Sequence, residues 1–208
     1  MCDRYRNYEI LSATEQPGVD FSIEVVDRST SIVIAAPHGG GIEPGTSEIA
    51  SAIAGTAYSL YLFNGLKTTG NSALHITSSN FDEPGCLALL RSAEVVVTIH
   101  GEESHTQVVF LGGCHVQGRA AIQRTLEEHG YSVKRHDDPN LQGIHSSNIC
   151  NIGHSRSGVQ LELSKGLRRS FFRSLNRAGR RQPTPELNRF AEVVRMGLRC
   201  LIGPSGVA

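Results

Sequence analysis

Tryptophan is absent from the 208 residues, aromatics make up 6% and charged residues only 19%. With 39% hydrophobic residues and 22 glycines, the chain still reads as globular, outside the disordered and fibrous classes. A chain of this length buries most of its unfolded surface and needs no disulfide staples. It has the length of one domain, 1–208. No run of 18 apolar residues occurs, which argues against a membrane span. The start Met1-Cys2-Asp3-Arg4-Tyr5-Arg6 lacks an apolar secretory stretch, which points to cytoplasmic synthesis, with release by lysis if the gene is phage-borne. No CxxC pair exists: Cys2, Cys86, Cys114, Cys150 and Cys200 are scattered. That argues against a cysteine-held zinc or a redox pair and predicts reduced, mostly buried thiols. Internal repeats and low-complexity tracts are missing as well.

Net charge is the last absence, with 20 basic against 20 acidic side chains. The total hides a split. Residues 1–150 carry 9 basic and 17 acidic groups, net −8, and residues 151–208 carry 11 and 3, net +8. Such asymmetry is a sign of an anionic partner.

Apolar, strand-like segments recur at 21–26, 31–36, 58–63, 73–77, 94–99, 107–111 and 159–163. Runs such as Val95-Val96-Val97-Thr98-Ile99 suit interior strands covered on both faces. Between them lie helical patterns at 47–55, at 85–92 and at 116–129, the last stopped by Gly130. A final helix is predicted from Thr184-Pro185-Glu186, with Leu187, Phe190, Val194 and Leu198 at helical spacing through Ile202. The stretches 136–158 and 175–184 show no period. Strands alternating with helices predict a single-domain α/β fold, an open, mixed or mostly parallel twisted sheet flanked by helices. Ligands in such sheets sit at the carboxyl ends of the strands.

Those ends carry the polar residues that matter. The 31–36 strand runs into Pro37-His38-Gly39-Gly40-Gly41-Ile42-Glu43, the 94–99 strand into His100-Gly101-Glu102, and the 159–163 strand contains Glu162. Two histidines and a glutamate with one position open form a catalytic zinc sphere. A carboxylate outside it, here Glu162, can take a proton from the activated water and return it to a leaving amine. The competing reading of Gly39–Gly41 is a phosphate cradle, although the GxxxxGK[ST] and GxGxxG spacings are missing. Gln160 and Glu162 alternate with Leu161 and Leu163, so their shared face points either to solvent or to a site.

The stretches PHGGGIEPGTSEIA, TIHGEE and SSNICNIGHSRSGVQLELSKGLR resemble the phage-type poly-γ-glutamate hydrolase family, whose members are also labelled phage-replication-like. The resemblance spans most of the chain. It implies a zinc-dependent amidase with an open α/β fold similar to carboxypeptidase A. It implies zinc held by His38, Glu43 and His100, with Glu162 as general base. It also implies hydrolysis of the γ-glutamyl amides of poly-γ-glutamate, the capsule polymer of some bacilli.

Substrate carboxylates call for Arg, Asn or backbone donors. Asn148, Asn151 and Arg156 precede the Glu162 strand, and Arg168 follows it. Arg156 is the candidate to polarise the scissile carbonyl or hold a carboxylate, and the other three are candidates for substrate contact. Lys165, Arg169, Arg173, Arg177 and Arg181 recur every fourth residue with no acid between 165 and 181. If helical, they form a basic stripe, to be offset by an anionic ligand, internal acids or solvent. The substrate expected is an anionic polymer or, alternatively, a small N-formyl or N-acyl amino acid cut by the same metal. A nucleic-acid-binding accessory role is the reading from another class. No DNA-binding fold or aromatic stacking series accompanies the basic run, which argues against it.

Overall fold

The computed structural model describes residues 3–201. Its strands are β1 (Phe21–Val26), β2 (Ile32–Gly40), β3 (Ser59–Gly65), β4 (Val95–Glu102), β5 (Val109–Gly112), β6 (Val133–Lys134) and β7 (Val159–Ser164). They form one mixed sheet in the order β1-β3-β2-β4-β7-β5-β6. The centre, β3-β2-β4-β7, is parallel, while β1 pairs antiparallel with β3 and β5 with β7. The open α/β architecture expected from the alternation of patterns is therefore present.

The period of two along each strand divides the apolar side chains between two cores. Ile32, Ile34, Val95, Val97, Val159 and Leu161 join a core with α2 (Thr46–Ala54), α4 (Val116–Glu128) and α7 (Pro185–Arg199). Val33, Ala35 and Val96 join the opposite core, with α1 (Tyr8–Ser12) and α3 (Pro84–Ser92). Each such Val, Ile or Leu side chain contributes about 1.5–3 kcal/mol on burial, so a one-residue slip would be very costly and the register is fixed. The alternate positions of β4 and β7, namely Thr98, His100, Gln160 and Glu162, fall on the α1/α3 side and are all buried. The shared face of Gln160 and Glu162 thus points inward.

The 73–77 segment is not a strand. It forms a 3-10 turn (Asn71–Leu74) and an extended loop. Both edges of β3 are already taken by β1 and β2, so Leu74 and Ile76 bury in the α1/α3 core without a ladder to join. The helix stop at Gly130 has the left-handed φ of +86°. Thr184 sits at the cap of α7, but its hydroxyl donates to the Ser170 carbonyl. Ile202 and Cys2 lie outside the described residues. Of the other cysteines, Cys86 and Cys150 are buried, Cys114 is half-buried and Cys200 exposed, all as free thiols.

The basic run does not form one stripe. It folds as α5 (Lys165–Ser170) and α6 (Arg177–Arg180) with a break between them. Arg168 and Arg180 turn inward, the latter onto Glu48 at 2.8 Å. Lys165 pairs with Glu103 at 2.8 Å, Arg173 with Gln182, and Arg177 donates to the Leu66 carbonyl. Internal partners, not a continuous polyanion face, offset much of this charge. No helix among the described residues is long and apolar enough to cross a membrane.

Candidate metal centre

A break in the β2 ladder creates the site. Ala36 pairs with Leu62 but Gly39 with Asn64, so three residues of β2 face two of β3. The extra residue is a bulge, which redirects the side chain it carries. Without it His38 would share the face of Ile34 and Ala36. With it, the imidazole lies on the other face, beside Phe81 and His100. Gly40 follows at φ +65°, where a Cβ would also meet the Gly65 carbonyl oxygen at 2.4 Å. The turn then brings Glu43 back, its N–H donating to the His38 carbonyl at 2.8 Å.

Three side chains converge there. His38 Nδ1 lies 3.1 Å from Glu43 Oε1 and 3.2 Å from His100 Nδ1, and His100 Nδ1 lies 3.8 Å from Glu43 Oε2. Donors about 2.0–2.2 Å from a tetrahedral ion are about 3.3–3.6 Å from one another, so the spacing fits one zinc. The protonation pattern fits as well. His38 Nε2–H donates to the Ile76 carbonyl at 2.8 Å, which leaves a lone pair on Nδ1 of the neutral ring. The His100 Nε2 side faces Ser78 Oγ at 3.5 Å. Two imidazole nitrogens and a carboxylate this close repel unless a cation, proton or metal, lies among them. The Gly101 N–H donates to Glu43 Oε2 at 2.8 Å and fixes the carboxylate.

Without an ion, the electrostatics favour a charge-separated pair of Glu43 and His38. Burial opposes ionisation of Glu43, but His38 and the hydrogen bonds to it outweigh that and bring the carboxyl down to about 2. Burial would lower His38, yet Glu43 and the Ile76 carbonyl hold it above the usual imidazole value. Burial takes His100 down to about 3, so it is a neutral donor.

His75 also enters the site, a residue that the strand-like pattern of 73–77 conceals. His38, Glu43 and His75 hold donor atoms within 4.8 Å of one another. His75 nevertheless lies over the face of His38, ring centroids 4.0 Å apart at 32°, whereas a ring nitrogen offers its lone pair in the ring plane. Its Nδ1 is tied to Asp3 Oδ1 at 2.7 Å and its Nε2 is 3.9 Å from Glu43. His100 Nδ1 lies nearer to both, 3.2 Å from His38 Nδ1 and 3.8 Å from Glu43 Oε2, and the Asp3–His75 pair stands beside it.

Glu162 is the parallel-ladder partner of His100 and emerges beside it. Gln160 Nε2 donates to Glu162 Oε1 at 2.9 Å, and Asn148 Nδ2 donates to Gln160 Oε1 at 3.0 Å. Burial, then the nearby Glu43 and Glu102 carboxylates, push the Glu162 carboxyl well above its usual range. Asn148 therefore reaches the site through Gln160 and Glu162.

Of the other expected substrate contacts, two are engaged within the chain and one stands apart. Asn151 accepts from the Cys114 and Gly158 N–H groups and donates to the Gly143 and His145 carbonyls, which saturates it as a loop clamp. Arg168 is fully buried and donates to the Leu163, Pro44 and Glu102 carbonyls at 3.0, 2.6 and 2.9 Å, bracing the turn that carries Glu43. Arg156 is far away. Its loop bonds to Ala93 and Glu94 at the amino end of β4. His100 lies six residues along that strand, about 20 Å at the usual rise, beyond the reach of an arginine at the scissile bond.

Comparison with known proteins follows the same lines. A family model described as poly-gamma-glutamate hydrolase matches residues 5–194. The SPbeta prophage-derived UPF0714 protein YoqZ of Bacillus subtilis (strain 168) is 40% identical over 179 residues, 86% of this chain and 65% of that protein. This chain therefore spans just under two thirds of that relative's length. A solved structure of a bacteriophage poly-gamma-glutamate hydrolase superposes with a TM-score of 0.93 at 34% identity, covering 97% of this chain and 99% of the other. A zinc-free apo structure of YndL superposes with a TM-score of 0.91 at 34% identity, covering 97% and 100%.

Proposed function

The chain belongs to the poly-γ-glutamate hydrolase family, and from that premise we propose that it hydrolyses γ-glutamyl amide bonds with a zinc ion held by His38, Glu43 and His100. The observation that carries the reading is the convergence of His38 Nδ1, His100 Nδ1 and the Glu43 carboxylate within 3.1–3.8 Å, beside a buried carboxylate that none of them uses. When bound, zinc supplies Lewis acidity, which polarises the amide and acidifies a water.

The chain's own residues do the rest. Glu162 accepts the proton that the water gives up and passes it to the departing amine. Its burial raises the basicity of the carboxylate towards the working pH, where a group can serve in both directions. Gln160 fixes one oxygen of that carboxylate and leaves the other for the proton. The Glu43 carboxylate is held by Gly101, and Arg168 positions its turn through Pro44.

Chain length of poly-γ-glutamate, followed with the purified protein, tests the substrate. Progressive shortening is expected, and a chelator is expected to stop it. Release of single acids from N-acyl glutamates with the polymer untouched would overturn the polymer assignment and favour a small-molecule amidohydrolase on the same centre.

A further inference from the structure

A groove of about 610 Å³ runs along the α1/α3 face of the sheet, within the range of ligand sites. None of His38, Glu43, His100 and Glu162 lines it, but its wall adjoins the metal centre. Phe81 lines it, and the Phe81 ring centroid is 6.4 Å from that of His38. Ser79 also lines it, next to Ser78, whose hydroxyl faces His100. From there α3 leads away: its first turn follows Phe81, and its last turn meets the amino end of β4. Nine residues of helix span about 14 Å, longer than one glutamyl unit.

Three arginines line this groove: Arg6, Arg91 and Arg156. All three are exposed, and among the described residues none has a side-chain hydrogen bond or ion pair. Arg168, Arg173, Arg177, Arg180 and Arg195, by contrast, all have partners. The groove's one carboxylate, Asp82, is engaged by the Tyr8 N–H at 2.6 Å. Arg156 holds a left-handed φ of +53°, a conformation uncommon outside glycine and costly to keep. A row of free guanidinium forks is built for carboxylates, and poly-γ-glutamate carries a free α-carboxylate on every unit.

We infer that this groove is a polycarboxylate subsite, in which Arg6, Arg91 and Arg156 hold successive α-carboxylates of the chain whose amide lies at the metal centre. The inference rests on the γ-glutamyl reading given above. It assigns Arg156 to binding at a distance from the scissile bond, and it assigns roles to Arg6 and Arg91.

The test compares the holoenzyme with Arg6→Gln/Arg91→Gln/Arg156→Gln and with a control, Arg169→Gln/Arg181→Gln, which removes exposed charge elsewhere. Loss of three charge-assisted contacts is expected to raise KM for long polymer about tenfold or more. KM for a γ-glutamyl dipeptide should rise much less, and the control should leave the ratio of the two where it is in the wild type. A triple variant whose polymer KM stays within about twofold, or a control that matches it, overturns the groove while hydrolysis by the wild type stands. If the wild type does not cut the polymer, the activity reading falls, and fluorescence anisotropy of a labelled oligo-γ-glutamate still decides the groove. Binding lost in the triple variant supports it. Equal binding by the variant, or no binding by the wild type, overturns it.

Discussion

Glu162→Gln is expected to lower kcat on poly-γ-glutamate roughly 10²–10⁴-fold, the usual worth of a positioned general acid–base, with zinc content unchanged. Glutamine keeps the shape of the side chain and can still pair with Gln160, but it cannot carry a proton from water to amine. The metal ligands proposed are three other residues, so the ion should remain. Steady-state kinetics with metal analysis on the same sample checks this. Retained kcat would remove Glu162 from the proton path, and lost zinc would make it a ligand.

The same variant carries a pH signature. The Glu162 carboxyl titrates well above its usual range in the folded protein, because of burial first and neighbouring carboxylates second. Above the ordinary carboxylate value the folded chain therefore holds a proton that the unfolded chain has lost, and stability falls as pH rises through that window. Glutamine removes this slope. Metal-stripped Glu162→Gln is thus expected to be at least as stable as the metal-stripped wild type at neutral pH, as read by thermal unfolding.

Arg168→Met is expected to cost about 3–5 kcal/mol of folding stability, the scale for deleting one partner of a buried charge network. The guanidinium stays charged at any working pH. It ties together β7 through Leu163, the Glu43 turn through Pro44 and the end of β4 through Glu102, with Glu103 at 3.5 Å. Methionine would leave three carbonyls without their donor. The fit is close, since a Cβ on Gly101 would stand 2.7 Å from the guanidinium carbon. Lysine offers a single ammonium in place of the fork, so Arg168→Lys should recover little. Urea unfolding measures the loss, and a change under about 1 kcal/mol would mean that these bonds are replaced by water. Because Pro44 adjoins Glu43, zinc affinity should fall in the same variant.

Much of this architecture is legible in the sequence because it depends on local patterns. The Val- and Ile-rich runs of β2, β4 and β7 and the heptad-like spacing of α7 follow from periods of two and 3.6. His38, Glu43 and His100 stand out because strand ends carry the ligands in such sheets. What escapes is what depends on distant partners. The bulge that turns His38 over exists only in the pairing of β2 with β3. His75 reads as part of a strand, since nothing in 73–77 tells that both edges of β3 are occupied. Arg168 reads as a candidate for substrate contact beside a basic run, yet its partner Pro44 is 124 positions away. Arg156 is six residues from Glu162 in sequence, but those residues run along β7 and separate the two.

In the proposed mechanism His38, Glu43 and His100 hold one ion on which cleavage of poly-γ-glutamate depends. Titration of zinc into metal-stripped protein, with the rate of polymer shortening as readout, tests it most directly. No shortening is expected without metal, and with it a rate that rises to a plateau at one zinc per chain. Shortening at full rate by the stripped protein, or none at any zinc level, would contradict it.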